Sequence, residues 1–212
     1  MYSLVKALWS MYFEKPTLKV LIVGLNDSGK TCLLSRLKMN AKQKAIEFSK
    51  IIPTVGLNSK VNYQLNSFLK DFLSKIVAKI EYPKYYALFW DLGGAQLLRS
   101  IWKKYYPDCH GIVFVVDQDY VSRKEELIKT FESITSSPES QGVPILILIN
   151  KIENQQDPNR PIIDEISTVL SISLIHNRKI IVQSCSAING TNIDKSLELL
   201  FEQIIRLSTQ QK

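Results

Sequence analysis

Residues 18–31 read LKVLIVGLNDSGKT, and this stretch decides the fold, because its apolar, β-rich beginning predicts a buried strand. The remainder satisfies GxxxxGK[ST] in the strand, loop and helix context of a phosphate-binding loop. In that pattern glycine lets the backbone turn its N–H groups onto phosphate, Lys30 reaches the β and γ phosphates, and the Thr31 hydroxyl binds Mg²⁺. The alternative is a plain glycine turn between a strand and a helix. The predicted phosphate-binding residues of the loop are Gly24, Leu25, Asn26, Asp27, Ser28, Gly29, Lys30 and Thr31.

Similar apolar runs recur along the chain, and each is followed by residues with helical spacing. This alternation indicates an α/β fold, with a mostly parallel six-stranded sheet flanked by helices and one antiparallel hairpin at its edge. Ligands of such sheets bind at the carboxyl ends of the strands, so we expect chemistry in the loops there. The predicted strands of the alternating part are residues 18–23, 86–90, 112–116, 143–149 and 180–182.

Residues 57–91 depart from this alternation. Residues 57–63 and 85–90 have the pattern of an antiparallel strand pair, and residues 65–80 between them carry apolar side chains at i, i+3, i+4 and i+7 spacing. This spacing predicts an amphipathic helix within an insertion in the hairpin, at residues 64–82.

The amino terminus carries a second amphipathic pattern. Residues 1–15 place apolar side chains on one helical face, and the segment ends before Pro16. We therefore expect an amino-terminal helix followed by one domain over residues 16–212. The apolar residues of that face are Met1, Leu4, Val5, Leu8, Trp9 and Tyr12.

The composition is that of an ordinary globular domain. Of the 212 residues, 45% are hydrophobic and 22% are charged, and no apolar run approaches the roughly 20 residues that span a bilayer. The three cysteines are widely spaced and outside any metal-ligand pattern, which argues against a disulfide framework or a zinc site and favours a reducing, cytosolic location. The net charge of +7 indicates attraction to an anionic surface. The hypothesis of a nucleic-acid partner would be supported by this charge alone, and we expect no such partner.

Two further segments have the order and spacing that would complete a phosphate and metal site. Asp91 and Gly94 follow the strand at residues 86–90, where a carboxylate can act at the metal and a glycine N–H can meet the γ phosphate. Thr54 lies in the connection before that strand, where a threonine could close over Mg²⁺ only when the γ phosphate is present. The predicted metal ligands are Thr31, Thr54 and Asp91. Taken singly, each segment has a plain turn as its alternative.

Two polar motifs follow the strands predicted at residues 143–149 and 180–182. Here the sequence resembles the small GTPases, whose NKxD and SA motifs occupy these places. That resemblance implies that the acidic side chain takes the guanine N1–H and N2–H groups, the lysine stem covers the base and the alanine N–H meets O6. Glu153 replaces the family's aspartate, and its extra methylene is expected to alter guanine affinity and selectivity. The implied guanine-binding residues are Asn150, Lys151, Glu153, Ser186 and Ala187.

Several segments narrow the resemblance to the Arf family. Residues 90–94 read WDLGG and are similar to the Arf family as a whole. Residues 53–57 read PTVGL and residues 105–111 read YYPDCHG, and both are similar to the Golgi Arf-related branch of that family. The resemblance implies a monomer that cycles between GDP and GTP and recruits effectors to Golgi or trans-Golgi membranes in vesicle trafficking, with an exchange factor and a GTPase-activating protein (GAP) as partners. Tyr2 replaces the glycine that accepts myristate in many Arf proteins, and the Arf-related branch is similar in lacking it.

Ala95 stands where the family has the glutamine that orients the attacking water, and Gln96 lies one position later. A methyl group cannot orient water, so no catalytic residue is assigned and slow GTP hydrolysis is expected. The alternative is a nucleotide-binding scaffold with negligible hydrolysis, which Ala95 and Glu153 both favour. A P-loop kinase would need an acceptor pocket and arginine-bearing lids, and no segment clearly supplies them.

Both amphipathic segments could contact a membrane surface. By resemblance, the amino-terminal helix is a conditional anchor, hidden against the body with GDP and released with GTP; the alternative is a helix packed permanently on the core. In the helix predicted at residues 65–80, Lys70, Lys75 and Lys79 lie off the apolar face and could meet anionic head groups. The alternative, that this apolar face packs on the protein or a partner, is slightly favoured.

Overall fold

A computed structural model describes residues 15–41 and 77–210. Its strands are β1 (Thr17–Gly24), β2 (Val77–Glu81), β3 (Tyr86–Asp91), β4 (Gly111–Asp117), β5 (Ile145–Asn150) and β6 (Ile180–Ser184). Its α-helices are α1 (Lys30–Asn40), α2 (Lys124–Thr135), α3 (Ile162–Val169) and α4 (Ile193–Gln210), and a longer 3-10 segment covers Gln96–Lys104. The strands form one six-stranded sheet in the order β2-β3-β1-β4-β5-β6, in which only β2 and β3 pair antiparallel. The predicted fold class is confirmed.

Side chains of β1 alternate between the two faces of the sheet, because successive side chains of a strand point to opposite sides. Leu21 and Val23 join one buried cluster, and Val20 and Ile22 join the other. The first cluster includes apolar residues of α2 and α3, and the second those of α1 and α4. Helices therefore cover both faces, as strands that are apolar on both sides require.

Parallel pairing brings the carboxyl ends of the central strands to one edge of the sheet. There β1 ends at Gly24, β3 at Asp91 and β5 at Asn150. The loops that carry the phosphate, metal and base motifs therefore start side by side.

The hairpin at the sheet edge differs from its prediction. The partner of β3 is β2, with Val77 opposite Trp90 and Glu81 opposite Tyr86, and the other edge of β3 is bonded to β1. The strand predicted at residues 57–63 is therefore not the partner, and the helix predicted at residues 65–80 is wrong over 77–80. A short apolar run fits helical and extended spacing alike, and pairing with a neighbouring strand decides between them.

The turn of this hairpin leaves no room for the predicted insertion. The Tyr82 N–H donates to the Tyr85 carbonyl at 2.9 Å, so β2 and β3 are joined directly by a short turn. Placing residues 64–82 inside the hairpin was therefore wrong, and the long connection is residues 42–76, between α1 and β2. The remaining expectations for residues 57–76, and those for the amino-terminal helix, lie outside the described residues.

Two strand boundaries shift slightly. β5 begins at Ile145 and not at Val143, because Pro144 has no N–H to donate to a ladder, although its carbonyl accepts from the Ile112 N–H at 3.0 Å. β6 continues to Ser184. Within residues 15–41 and 77–210, no helix has the length and apolar character needed to cross a bilayer.

His110 links the beginnings of β1 and β4. Its Nδ1 accepts a hydrogen bond from the Lys19 backbone N–H at 2.9 Å, and its own backbone N–H donates to the Lys19 carbonyl at 2.8 Å. Burial, with the Lys19 ammonium, lowers the pKa of His110 below its ordinary value of 6.5, against the Asp108 carboxylate. Only the neutral ring can accept this bond, because a protonated imidazole has donors alone.

We expect the free energy of unfolding to fall between about pH 7.5 and about pH 5.5, in part because of His110. A lowered folded-state pKa means that the folded protein binds fewer protons than the unfolded chain, so stability is lost as the pH falls. Urea denaturation of His110→Asn should show a smaller pH slope, since asparagine offers an acceptor that does not titrate. His176→Asn is the control, and an unchanged slope in His110→Asn would contradict this assignment.

Candidate functional site

The predicted phosphate-binding residues 24–31 comprise the last residue of β1, the loop at 25–29 and the first two residues of α1. Gly24 and Gly29 have φ angles of +146° and +92°, which L side chains rarely adopt. A Cβ at Gly24 would also lie 2.3 Å from the Val115 carbonyl oxygen, so both the backbone conformation and the lack of space require glycine there. α1 begins at Lys30, and no described side chain caps it. Its first N–H groups are therefore left for a ligand.

Lys30 is buried against this loop, and its Nζ donates to the Leu25 carbonyl at 2.6 Å. Burial lowers the pKa of Lys30, while the carboxylates of Asp91 and Asp27 oppose that shift. A phosphate group at the loop would offset the lost hydration of the ammonium through charge-assisted hydrogen bonds.

Thr31 and Asp91 meet where α1 begins and β3 ends. The Thr31 hydroxyl donates to Asp91 Oδ2 at 2.7 Å. Burial raises the pKa of Asp91, and the Thr31 hydrogen bond and the Lys30 ammonium lower it. A hydroxyl and a carboxylate are hard oxygen donors of the kind that Mg²⁺ takes beside phosphate oxygens. These two residues therefore fit the predicted metal site, and Thr54 lies outside the described residues.

The segment after β3 lies directly on the phosphate loop. A Cβ at Gly94 would come within 2.4 Å of the Gly24 carbonyl oxygen, so only glycine fits there. Two side chains hold this segment from outside. Arg99 Nε donates to the Gly94 carbonyl at 2.9 Å, and Trp102 Nε1 donates to the Gly93 carbonyl at 3.0 Å. Sequence analysis gave these two side chains no role at the site, because no local pattern shows which carbonyl a side chain will reach.

Asn150 ends β5 and is only 2% exposed. Its Nδ2 donates to the Ser28 carbonyl at 2.9 Å, and its Oδ1 accepts from the Ala187 N–H at 2.9 Å. The Ala187 N–H, implied by resemblance to meet guanine O6, thus has Asn150 as its acceptor here. The Ser186 hydroxyl oxygen accepts from the Asn189 N–H at 3.0 Å and shapes the turn that follows. One buried side chain therefore fixes the phosphate loop relative to the loop after β6.

Lys151 is held at the rim of the site. Its φ of 69° is left-handed, and its Nζ lies 2.6 Å from Asp117 Oδ2. Both side chains are 30% exposed, so this ion pair is accessible to solvent and to a ligand. Sequence analysis missed Asp117, although its place at the carboxyl end of β4 was an available signal.

Glu153 carries the clearest unsatisfied group of the site. Both of its carboxylate oxygens are shielded from solvent and have no hydrogen-bond partner among the described residues. Burial, and then the Glu153 charge, raises the pKa of the Cys185 thiol to about 12. A shielded carboxylate without donors is costly. It is suited to a ligand edge that presents N–H groups, such as the N1–H and N2–H groups of guanine.

A cleft of about 590 Å³ lies at the carboxyl edge of the sheet, and Lys151 is the predicted guanine-binding residue that lines it. This volume lies within the usual range for a small-molecule pocket. The wall brings the phosphate loop, the metal pair, the Gly94 segment and Lys151 together, and it includes Cys32, which sequence analysis did not select. The described lining residues are Asn26, Asp27, Gly29, Lys30, Thr31, Cys32, Asp91, Gly93, Gly94 and Lys151.

The sequence profile of the ADP-ribosylation factor family matches residues 2–204. ADP-ribosylation factor-related protein 1 of Bos taurus is 35% identical over 210 residues, which cover 97% of this chain and 94% of that protein. The Homo sapiens protein of the same name is 34% identical with the same coverage. ADP-ribosylation factor-like protein 3 of Saccharomyces cerevisiae is 34% identical over 213 residues, covering 100% of this chain and 96% of that protein.

A solved structure shows a similar fold. It is that of the Arl6 BBS3 small GTPase from Trypanosoma brucei with the bound nucleotide analogue GppNp. The two chains superpose with a TM-score of 0.65 at 21% identity, over 90% of this chain and 98% of that one.

Proposed function

We infer the function from one premise: this chain belongs to the ADP-ribosylation factor (Arf) family of small GTPases. The profile match and the near full-length likeness to ADP-ribosylation factor-related protein 1 confirm the resemblance indicated by the motifs. The protein is therefore a GTP-binding switch. Members of this family hydrolyse GTP, bind GTP or GDP with Mg²⁺, and work with exchange factors, GAPs and effectors; Arf-related members are often membrane-associated in trafficking.

We propose that this chain is a switch of the Arf-related kind, acting as a monomer that recruits effectors to Golgi membranes in vesicle trafficking and hydrolyses GTP slowly on its own. The observation that carries the nucleotide part is the shielded carboxylate of Glu153, which has no hydrogen-bond partner among the described residues and follows β5 at the same edge of the sheet as the phosphate loop. A guanine edge supplies two N–H donors to such a carboxylate, whereas adenine presents a different donor pattern.

At the phosphate end, the backbone N–H groups of the loop bind the phosphates and Lys30 donates to β and γ oxygens. Mg²⁺, when bound, neutralises charge on those phosphates. Thr31 would hold the ion together with Asp91, which lies within hydrogen-bond distance of the Thr31 hydroxyl, and Thr54 would join them with GTP. The Gly94 N–H binds the γ phosphate. This role agrees with the close approach of Gly94 to the phosphate loop, where a Cβ would collide with the Gly24 carbonyl oxygen.

At the base end, Asn150 holds the phosphate loop and the loop after β6 at a constant separation. The Lys151 stem covers the base from the rim, and its ammonium is held by Asp117. Ser186 and Ala187 border the base on the other side, and Glu153 reads its N–H edge. The longer side chain of Glu153 reaches further than the family's aspartate, so we propose weaker guanine binding than an aspartate would allow.

Ala95 sets the proposed hydrolysis rate. It follows Gly94 with an extended backbone and is the last residue before the 3-10 segment, and Gln96 is exposed. The methyl group of Ala95 cannot orient the attacking water. This same feature favours a second candidate function, a scaffold that holds GTP or GDP with negligible hydrolysis.

The membrane part of the proposal rests on a groove at the opposite edge of the sheet. It has a volume of about 640 Å³ and is mainly apolar, and its wall includes Pro16, Tyr85, Cys109, Ile204 and Leu207. Pro16 directly follows the amphipathic residues 1–15 in the sequence. We propose that this segment occupies the groove with GDP and contacts the membrane with GTP. Its apolar face is short, so it needs a second membrane signal.

Glu153 provides the direct test of the nucleotide assignment. The nucleotide that copurifies with the protein should be GDP or GTP. Glu153→Gln should weaken GDP binding about tenfold, because an amide offers one acceptor where the carboxylate offers two, and Glu153→Asp should tighten it by about 1 kcal/mol. Glu139→Gln, far from the cleft, is the control. A copurified adenine nucleotide, or GDP affinity unchanged in Glu153→Gln, would refute the assignment.

Ala95→Gln should raise single-turnover GTP hydrolysis roughly tenfold, equivalent to about 1.4 kcal/mol of barrier. Glutamine supplies the water-orienting group that alanine lacks. Gln96→Ala is the matched control and should leave the rate unchanged. If Ala95→Gln has no effect with or without a GAP, or if Gln96→Ala slows the reaction, then another group orients the water.

Deleting residues 1–13 should leave GDP affinity intact and abolish binding of the GTP-loaded protein to anionic vesicles, measured by sedimentation. Leu8→Ser on the apolar face should weaken vesicle binding in the same direction, because it removes buried apolar area. Ser10→Ala, on the opposite face, is the control. Vesicle binding that survives the deletion would disprove the anchor.

A further inference from the structure

One carboxylate, Glu126 of α2, connects the phosphate loop to the segment after β3. Its Oε1 accepts from Arg99 Nη2, and its Oε2 accepts from Arg123 Nε at 2.9 Å. Arg99 Nε in turn donates to the Gly94 carbonyl at 2.9 Å. Arg123 Nη1 donates to the Asn26 carbonyl at 2.8 Å. Both backbone segments that border the phosphate end of the cleft are thus held by arginines that share Glu126.

Arg123 contacts the phosphate loop next to a residue with an unfavourable backbone conformation. Asp27 has a φ of 62°, in the left-handed region that few residues other than glycine adopt. The Asn26 carbonyl and the Asp27 N–H belong to one planar peptide and point in opposite directions. By holding the carbonyl from the α2 side, Arg123 fixes the N–H on the other side, towards the cleft that Asn26 and Asp27 line.

Arg99 holds the neighbouring segment on the Ala95 side of Gly94. The Gly94 N–H belongs to the preceding peptide, whose Gly93 carbonyl accepts from Trp102 Nε1 at 3.0 Å. Holding the Gly94 carbonyl fixes the peptide that joins Gly94 to Ala95. Arg99 is itself anchored at a second point, because its Nη1 donates to the Thr130 hydroxyl oxygen at 2.9 Å, and its side chain is 15% exposed. Arg99 therefore ties the position of Gly94 to α2.

The two guanidiniums also bear on the phosphate charge. They share a single carboxylate, so the group keeps an excess positive charge. The two arginines hold different parts of the site. Arg123 holds the loop that binds every phosphate, whereas Arg99 holds Gly94, which in the proposed function meets only the γ phosphate.

We propose that Glu126 is a positioning residue that sets the preference of the site for the triphosphate over the diphosphate. The inference rests on the proposed function, in which the cleft binds GTP and GDP. Through Arg99, Glu126 holds Gly94 where the γ phosphate needs a donor, and through Arg123 it holds the loop beneath. Glu126 is 37% exposed, so its ion pairs contribute little to stability, and its effect falls on nucleotide preference.

The test compares affinities for GDP and for a non-hydrolysable GTP analogue, measured with Mg²⁺ on the full chain. Glu126→Gln should lower the ratio of GTP-analogue affinity to GDP affinity about tenfold. Arg99→Gln should lower the ratio similarly with GDP affinity retained, and Arg123→Gln should weaken both ligands. In the Arg99→Gln background, Glu126→Gln should lower the ratio no further, because the two residues act on one contact.

Glu125→Gln, an exposed carboxylate on the same helix, is the matched control and should leave the ratio unchanged. Thermal unfolding of each variant separates folding from positioning, since a loss of stability alone weakens both nucleotides equally. An unchanged ratio in Glu126→Gln, or an equal loss for both nucleotides, overturns the inference while the proposed function stands. A wild-type protein that binds neither nucleotide overturns both.

Discussion

Two of the hydrogen bonds made by the buried Asn150 amide are the constraint on which the site depends. They join the Ser28 carbonyl of the phosphate loop to the Ala187 N–H of the loop after β6, across strands that are not neighbours. Each group would otherwise be a buried polar atom without a partner, which costs about 1–3 kcal/mol. The amide therefore keeps the phosphate end and the base end of the cleft at one separation, as a ligand with two rigidly connected parts requires.

Charge is distributed along the cleft in the order that a nucleotide would need. Lys30 and the two guanidiniums bonded to Glu126 place three cations at the phosphate end, beside the carboxylates of Asp27 and Asp91. The base end carries the shielded Glu153 carboxylate, which has no donor among the described residues. An anion at one end and an N–H edge at the other would each remove an electrostatic cost that the protein alone leaves in place. In this sense the folded chain is complementary to its proposed ligand.

β3 joins the two functional edges of the sheet. It ends at Asp91, beside Thr31, and it begins after the hairpin turn, where Tyr85 lines the apolar groove. The rings of Tyr82 and Tyr85 both pack on Phe201 of α4, at centroid distances of 5.2 and 5.0 Å. A shift of this hairpin would therefore displace residues at the metal pair and at the groove together, because β3 contributes residues to both.

The sequence by itself determined the α/β fold and the phosphate loop, since alternating apolar runs and the glycines of residues 24–29 report local burial and backbone conformation. The tertiary structure decided what depends on partners distant along the chain. Residues 77–81 form a strand because β3 is there to pair with them, although their spacing fits a helix. Likewise Asp117 reaches Lys151, and Glu126 gathers Arg99 and Arg123, only because packing of the sheet and α2 brings these groups within hydrogen-bond distance.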